Sequence, residues 1–275
     1  MNQTPLIKFK SVFIKREDLN PTGSAKDRAI DVQTDALLKQ NIHSAVISST
    51  GNAAISALYF CQQKNIKLTL FLSPKVDKNK LVIIQKYHPE IIFSDKPISD
   101  AFKFSKKTGA FYLRQSTDPN ALLGYKTIGK EIIRQLPQVT SVFIPVGSGT
   151  TLIGIASALP KDVKVFAVQP AKHAPISSIF DKNFKPETIS TTDALSVKLL
   201  PLKSKIISAI NNSLGSGLVI QDQDIINAQV KLEERKIFTS PEGALAYAGL
   251  IKAKRLKLNI GQFPVIIFTG AHRNG

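Results

Sequence analysis

Short apolar runs and longer segments of helical character alternate along this chain from end to end. The apolar runs predict strands over residues 12–14, 44–48, 67–72, 90–93, 110–113, 141–146, 163–168 and 263–269. The segments between them predict helices over residues 26–38, 53–64, 76–87, 101–107, 122–135, 151–159, 203–211, 222–235 and 242–254. This alternation is typical of an α/β protein with parallel sheets. Residues 170–217, rich in Ser, Thr and Pro, predict a loop-rich connection that carries the helix at 203–211.

Composition places the chain among folded globular proteins. Its 275 residues are 43% hydrophobic and 21% charged, which excludes general disorder and suffices for one large domain or two modest ones. No apolar run approaches the ~20 residues of a membrane span, and Met1–Pro5 lacks the layout of a signal peptide. The single cysteine, Cys61, excludes an internal disulfide framework and suits a reducing compartment. We therefore expect a cytoplasmic protein.

Charge and histidine positions narrow the set of partners. The net charge of +17 would suit a nucleic-acid partner if the basic residues were clustered. Most of the positive charge comes from lysines that are spread along the whole chain, which is the distribution expected when a whole proteome is rich in lysine. We therefore expect no nucleic-acid partner. Four histidines occur without ligand spacing, and we expect no metal site. They are His43, His88, His173 and His272.

The run from Lys15 to Arg28 is the most informative segment of the chain. An apolar strand, Val12–Ile14, leads into a turn of Asn, Pro and Gly in which Ser24 is placed as a helix N-cap. Lys26 then falls in the first helical turn, where the positive end of the helix dipole disfavours a protonated amine. A neutral lysine amine is the nucleophile of Schiff-base chemistry. The same position in a first helical turn is also common for an exposed lysine that has no chemical role.

Two strand-to-helix turns and one strand end carry ligand-binding chemistry. Ser48–Ala54 offers hydroxyls and helix N-terminal amides that suit a carboxylate. Pro145–Leu152 offers amides freed by glycine that suit a phosphate, although it is neither a Walker loop nor a full dinucleotide-binding fingerprint. Thr269 ends an apolar strand, at the edge where ligands bind in α/β sheets. Taken singly, each segment would also serve as an ordinary helix cap or strand end.

The lysine run resembles the cofactor-lysine motif of the fold-type II pyridoxal-phosphate enzymes, and the other three segments resemble further motifs of that family in the same order. The family includes threonine synthase, cysteine synthase, serine/threonine dehydratase and the tryptophan synthase β chain. The resemblance implies that Lys26 binds pyridoxal 5′-phosphate covalently and is the catalytic residue. It implies cofactor contacts for Asn52 at the ring oxygen, for Thr269 at the ring nitrogen, and for Gly147, Ser148, Gly149, Thr150 and Thr151 at the phosphate. It implies substrate contacts for Ser49, Thr50, Gly51 and Ser116.

A fourth similarity points to one branch of the family. Gln115–Thr127 resembles a stretch of threonine synthases, with Ala121 in place of an arginine and Tyr125 in place of a glutamine. Ser240–Ala244 resembles the loop before that branch's last large-domain helix. The resemblance implies a lyase that acts by β/γ elimination or replacement, closest to threonine synthase, which converts O-phosphohomoserine to threonine and phosphate. A cysteine synthase-like or serine/threonine dehydratase-like enzyme is the alternative, and a non-catalytic basic binding protein is a third hypothesis.

The same resemblance implies two parallel-sheet, three-layer α/β domains of the tryptophan synthase β-like type, with the cofactor between them. We expect a large cofactor-binding domain from residues 1–43 and 127–275, and a small inserted domain from residues 44–126. The implied partner is a small amino-acid substrate, and a homodimer is the assembly to test.

Overall fold

Helices and parallel strands alternate in the computed structural model, as the sequence predicts. The structure describes residues 1–76, 78–192, 195 and 200–272. Its strands are β1 (Leu6–Phe9), β2 (Val12–Arg16), β3 (Ser44–Ile47), β4 (Lys67–Leu72), β5 (Glu90–Phe93), β6 (Phe111–Tyr112), β7 (Ser141–Pro145), β8 (Lys164–Pro170), β9 (Ser216–Ile220) and β10 (Pro264–Phe268). Its helices are α1 (Lys26–Lys39), α2 (Asn52–Gln63), α3 (Lys78–Gln85), α4 (Pro97–Thr108), α5 (Pro119–Gln135), α6 (Thr150–Ala156), α7 (Ser177–Phe180), α8 (Lys203–Asn212), α9 (Asp222–Glu233) and α10 (Pro241–Arg255). In the described part of the chain, no helix is both long and apolar enough to cross a bilayer.

The chain forms two compact units, each built on its own sheet. The small unit contains Pro21–Gly124, together with Met1, and a four-stranded parallel sheet in the order β5-β4-β3-β6. The large unit contains Asn2–Asn20 and the chain from Tyr125 onward. Its six-stranded sheet has the order β1-β2-β10-β7-β8-β9, and only β1 runs antiparallel to its neighbour among the described strands. Helix α1, which the sequence analysis assigned to the large domain, belongs to the small unit because it packs against α2.

The central strands of the large unit are buried along their whole length. Every residue of β7 and β10 is buried, which explains why both segments are nearly continuous apolar runs. Helix α10 covers this sheet and buries 11 of its 15 residues, so it shows little amphipathic pattern in the sequence. The carboxyl ends of β2, β10 and β7 therefore lie side by side on a rigid support.

Two strands, β1 and β9, were not predicted from the sequence, and the structure gives a reason for each. Strand β1 forms a hairpin with β2 through Lys10 and Ser11, and Lys10 adopts a positive φ of 54° without the Asn or Gly that marks such turns. Strand β9 begins with Ser216 and Gly217, and these residue types predict a loop rather than a strand. Gly217 is needed there because a Cβ would collide with the backbone of Ser177.

Other differences concern the ends of elements and the irregular region. Helices α4 and α5 begin at Pro97 and Pro119, earlier than predicted, because proline is well tolerated in a first helical turn. The region 170–217 contains α7 as well as the predicted helix α8. Residues 193–194 and 196–199 of that region lie outside the described residues.

A buried charge cluster anchors β2 within the large unit. The Lys15 ammonium is fully buried and lies 2.6 Å from a carboxylate oxygen of Glu131 on α5. It also donates to the Thr4 carbonyl at 2.8 Å and to Gln135 Oε1 at 3.0 Å. A buried ammonium is tolerated only when it is paired and hydrogen-bonded. The cluster therefore fixes the strand that leads into the Lys26 segment.

Candidate active site

Lys26 is the first residue of α1 and is half-buried. The predicted Ser24 cap is wrong, because the helix begins one residue later with Ala25 at the N-cap position. The preceding turn is held instead by Asp27, which is fully buried. Its carboxylate accepts the Thr22 N–H at 2.7 Å and also the Thr22 hydroxyl proton. The turn of Asn, Pro and Gly thus presents Lys26 from a fixed helix start.

The small unit brings a second group of predicted residues to one edge of its sheet. Ser49, Thr50 and Gly51 follow β3, and Asn52 begins α2; all four are half-buried. Ser116 lies four residues after β6, the parallel neighbour of β3, so both segments leave the same edge of the sheet. A Cβ built on Gly51 would meet no described atom within 4 Å, so the space over this turn is open to a ligand.

The start of α5 is tied to α1 within the small unit. Asp118 accepts a hydrogen bond from the Asn120 N–H at 2.9 Å and another from Gln33 Nε2 of α1 at 2.7 Å. Ala121, where threonine synthases carry an arginine, is fully buried. Gly124 lies against the Arg28 carbonyl, where a Cβ would collide with the backbone of α1. The α5 positions that resemble threonine synthase therefore include buried packing positions.

The large unit joins the glycine loop and Thr269 at the carboxyl edge of its sheet. Strands β7 and β10 are parallel neighbours, so the segments that follow them emerge together. Gly149 is the N-cap of α6 and has a positive φ of 82°. The hydroxyls of Ser148 and Thr150 lie 3.1 Å apart, and Thr150 is 1% exposed. The half-buried Thr269 directly follows β10.

Two supporting side chains at this edge escaped the sequence analysis. Gln169 is fully buried at the end of β8; its Nε2 donates to the Val146 carbonyl at 3.0 Å and fixes the entry to the glycine loop. Arg16 ends β2 opposite Phe268 and donates to the Asp18 carboxylate through Nε and Nη2. Burial raises the pKa of the Asp18 carboxyl above its ordinary value, and the hydrogen bond from Arg16 opposes that shift. The only sequence signal was a polar residue closing an apolar strand.

Each unit, taken by itself, offers groups that suit a part of the cofactor or the substrate implied by the sequence resemblance. The large unit offers a glycine turn with hydroxyls, which suits a phosphate, and an uncharged hydroxyl at Thr269, which suits a ring nitrogen. The small unit offers the Lys26 amine and the open turn at Gly51, which suits a carboxylate. The residues present therefore fit the group implied by the sequence resemblance.

Comparison with known families gives a match over almost the whole chain. A family model described as "Pyridoxal-phosphate dependent enzyme" matches residues 1–270. Threonine synthase of Methanocaldococcus jannaschii is 31% identical over 270 residues, which cover 89% of this chain and 65% of that protein. L-threonine ammonia-lyase of Geobacter sulfurreducens is 24% identical over 256 residues, which cover 88% of this chain and 63% of the relative. The chain thus spans less than two thirds of the length of these curated relatives.

Solved structures share the fold. Maize serine racemase superposes with a TM-score of 0.87 at 20% identity, over 99% of this chain and 89% of that one. The processed form of threonine deaminase isoform 2 from Solanum lycopersicum gives a TM-score of 0.83 at 22% identity, over 99% of this chain and 85% of that one. These similarities confirm the α/β fold of the tryptophan synthase β-like type, and at these identities they show the fold alone.

Proposed function

Because the chain belongs to the family of pyridoxal-phosphate dependent enzymes, we propose that it is a threonine synthase-like lyase, which eliminates or replaces a group at the β or γ carbon of an amino acid. Its cofactor is pyridoxal 5′-phosphate, which supplies an electron sink for negative charge on the substrate carbons when bound. The observation that carries the proposal is the Thr269 hydroxyl at the end of β10. A carboxylate there would favour a protonated ring nitrogen, whereas a hydroxyl leaves it neutral. The weaker electron sink favours elimination and replacement over transamination.

The proposed roles follow from the chemistry of each side chain. The Lys26 amine would hold the cofactor covalently, and the same amine would move protons at the α and β carbons of the substrate. The turn from Ser49 to Gly51 binds the substrate carboxylate through hydroxyl and amide donors, and Asn52 bonds the ring oxygen. The loop Gly147–Thr151 binds the cofactor phosphate. Ser116 contacts the substrate.

Two observations bear on the substrate. The similarity of Gln115–Thr127 to threonine synthases, and the 31% identity to the Methanocaldococcus enzyme, favour O-phosphohomoserine. The fully buried Ala121 removes one cationic ligand for a substrate phosphate and favours a second candidate, deamination of threonine or serine. The half-buried Arg114, which directly precedes this stretch, and the half-buried Lys126 within it offer other cations for a phosphate. Threonine biosynthesis in the cytoplasm is the physiological setting that we propose for the first activity.

A substrate panel separates the candidates. Purified protein loaded with pyridoxal 5′-phosphate is assayed for phosphate and threonine from O-phosphohomoserine, for oxoacid and ammonia from threonine and serine, and for cysteine from O-acetylserine with sulfide. Lys26→Ala is the matched control because it removes only the proposed reactive amine. Phosphate and threonine release by the parent protein alone supports the threonine synthase proposal, and oxoacid release supports the dehydratase. Turnover in none of the assays, together with salt-sensitive binding to RNA or DNA, would overturn both in favour of a binding protein.

A further inference from the structure

A cleft between α9 and α10 carries an excess of positive charge that the activity proposed above does not use. The cleft has a volume of about 70 Å³ and lies within the large unit. Three cationic side chains line it, namely Lys231 of α9 and Lys252 and Arg255 of α10. Asp224 is the single carboxylate among the described residues that line it. The lining side chains alone therefore carry a net charge of about +2, because Lys and Arg are protonated and Asp is ionised near neutral pH.

Two of the three cations have no partner. Lys231 and Arg255 are exposed, and neither forms a hydrogen bond or an ion pair within the described residues. Asp224 precedes Lys231 by seven residues, which corresponds to about 10 Å along the axis of α9. Both cations lie in the last turn of their helix, where the helix dipole favours positive charge. The dipole does not explain why cations of two helices line one cleft, where their charges repel each other.

The third cation is held beside the cleft by a buried ion pair. Lys252 is 7% exposed and donates to the Asp181 carboxylate and, at 2.7 Å, to the Val219 carbonyl. An ammonium group has three protons, so one proton of Lys252 has no acceptor within the described residues. A buried donor without an acceptor is unfavourable. Lys252 lines the cleft, and a ligand bound there can supply the missing acceptor.

We propose that this cleft binds a phosphate group. Phosphate oxygens accept charge-assisted hydrogen bonds from guanidinium and ammonium groups, and an arginine can engage two of these oxygens at once. The side-chain amide of Asn227 lines the same cleft. A single water molecule needs about 10–15 Å³, so a volume of about 70 Å³ suits a group of a few heavy atoms rather than a whole nucleotide.

The phosphate site shares no residue with the proposed active site. Helix α10 starts beside the end of β10, where the Ser240 N–H donates to the Gly270 carbonyl at 2.9 Å. Arg255 is the last residue of this helix and therefore lies about 20 Å along its axis from that point. The proposal thus goes beyond the proposed function and does not depend on it.

Titration calorimetry with inorganic phosphate tests the proposal. The protein is first saturated with pyridoxal 5′-phosphate, so that the loop at Gly149 is not left open to free phosphate, and is kept at about 0.15 M NaCl to screen non-specific attraction. We expect the parent protein to bind phosphate. Lys231→Gln and Arg255→Gln should each weaken this binding by about tenfold or more, the effect of one charge-assisted hydrogen bond.

Lys254→Gln is the matched control for loss of one positive charge. Lys254 is exposed and directly precedes Arg255, but it is not among the residues that line the cleft. It donates instead to Ser11 Oγ at 2.9 Å. Its replacement should leave the affinity for phosphate unchanged.

A parallel titration with adenosine monophosphate identifies the source of the phosphate group. Tighter binding than that of inorganic phosphate supports a phosphate ester as the ligand, and equal or weaker binding supports free phosphate. No binding of either probe by the parent protein overturns the proposal. Binding that survives both Lys231→Gln and Arg255→Gln, or that falls equally in Lys254→Gln, also overturns it. Failure of the proposed function has a different signature, namely no covalent cofactor on Lys26.

Discussion

Gly149 offers a direct test of the glycine loop, because the structure gives two separate reasons why no side chain fits there. Its φ of 82° is disfavoured for other residues, at a cost of about 1–2 kcal/mol. A Cβ would also overlap Cδ1 and Cγ1 of Ile206 on α8. Displacing that side chain adds about 1 kcal/mol or more. Gly149→Ala should therefore lower the free energy of unfolding by about 2–3 kcal/mol.

The position of Gly149 in the loop also predicts a loss of cofactor affinity that is separate from the loss of folding stability. The strained loop can no longer present its amides to the cofactor phosphate, so cofactor affinity should fall by more than about tenfold. Gly261→Ala is the matched control: Gly261 also has a positive φ, of 68°, and a Cβ there would overlap the side chain of Thr140. It lies before β10, at the opposite edge of the same sheet. We expect similar destabilisation with unchanged cofactor affinity.

Two measurements separate these effects. Urea unfolding of the cofactor-free proteins gives the free energy of unfolding, and an absorbance titration with pyridoxal 5′-phosphate gives the dissociation constant. Ile206→Val removes the atom nearest to the new methyl group, so it should restore part of the stability lost in Gly149→Ala. If Gly149→Ala is destabilised yet binds the cofactor as tightly as the parent protein, the loop has been assigned wrongly.

Three further predictions concern single side chains. Borohydride reduction followed by peptide mapping should place the pyridoxyl label on Lys26, and a label on another lysine would refute the assignment. The Lys26→Ala variant should lose both the label and turnover but should still bind the cofactor non-covalently. Thr269→Ser should leave turnover and the absorption spectrum of the cofactor nearly unchanged. Thr269→Asp should keep the cofactor, lose most turnover and shift the absorption spectrum. Identical behaviour of the two variants would show that Thr269 only ends a strand and does not bind the ring nitrogen. Burial raises the pKa of the Cys61 thiol to about 12, so almost no thiolate exists at pH 8. A thiol reagent should therefore react with Cys61 only after unfolding, and rapid labelling of the native protein would contradict the buried position.

Patterns within one segment were the most predictable from sequence. The apolar runs of β7 and β10 identified central strands, and the glycine turn after β7 identified the start of helix α6. The start of α1 at Lys26 was predicted correctly, but its N-cap was wrong by one residue, because a serine near a helix start resembles a cap even where Asp27 holds the turn. A local pattern also cannot reveal that Gly217 is required by contact with Ser177, 40 positions earlier.

The support of the site was the least predictable part. The fastening of Ser240 to Gly270 joins residues 30 positions apart, and Gln169 reaches back to Val146. Contacts of this kind depend on how strands are ordered in the sheet, which no single segment encodes. The residues named from motifs are those with distinctive chemistry, whereas the residues that hold them have ordinary types.

The strand order of the large unit has a consequence for biosynthesis. Strand β10 leaves the ribosome after the other described strands of this sheet, yet it lies in the middle of the sheet, between β2 and β7. The small unit is almost continuous in sequence, so it can fold while the remaining chain is still being translated. The large unit must keep β2 and β7 apart, with their inner edges uncovered, until residues 264–268 emerge. A nascent chain stalled before that point exposes two unpaired apolar strand edges, which makes it a substrate for chaperones and prone to aggregation.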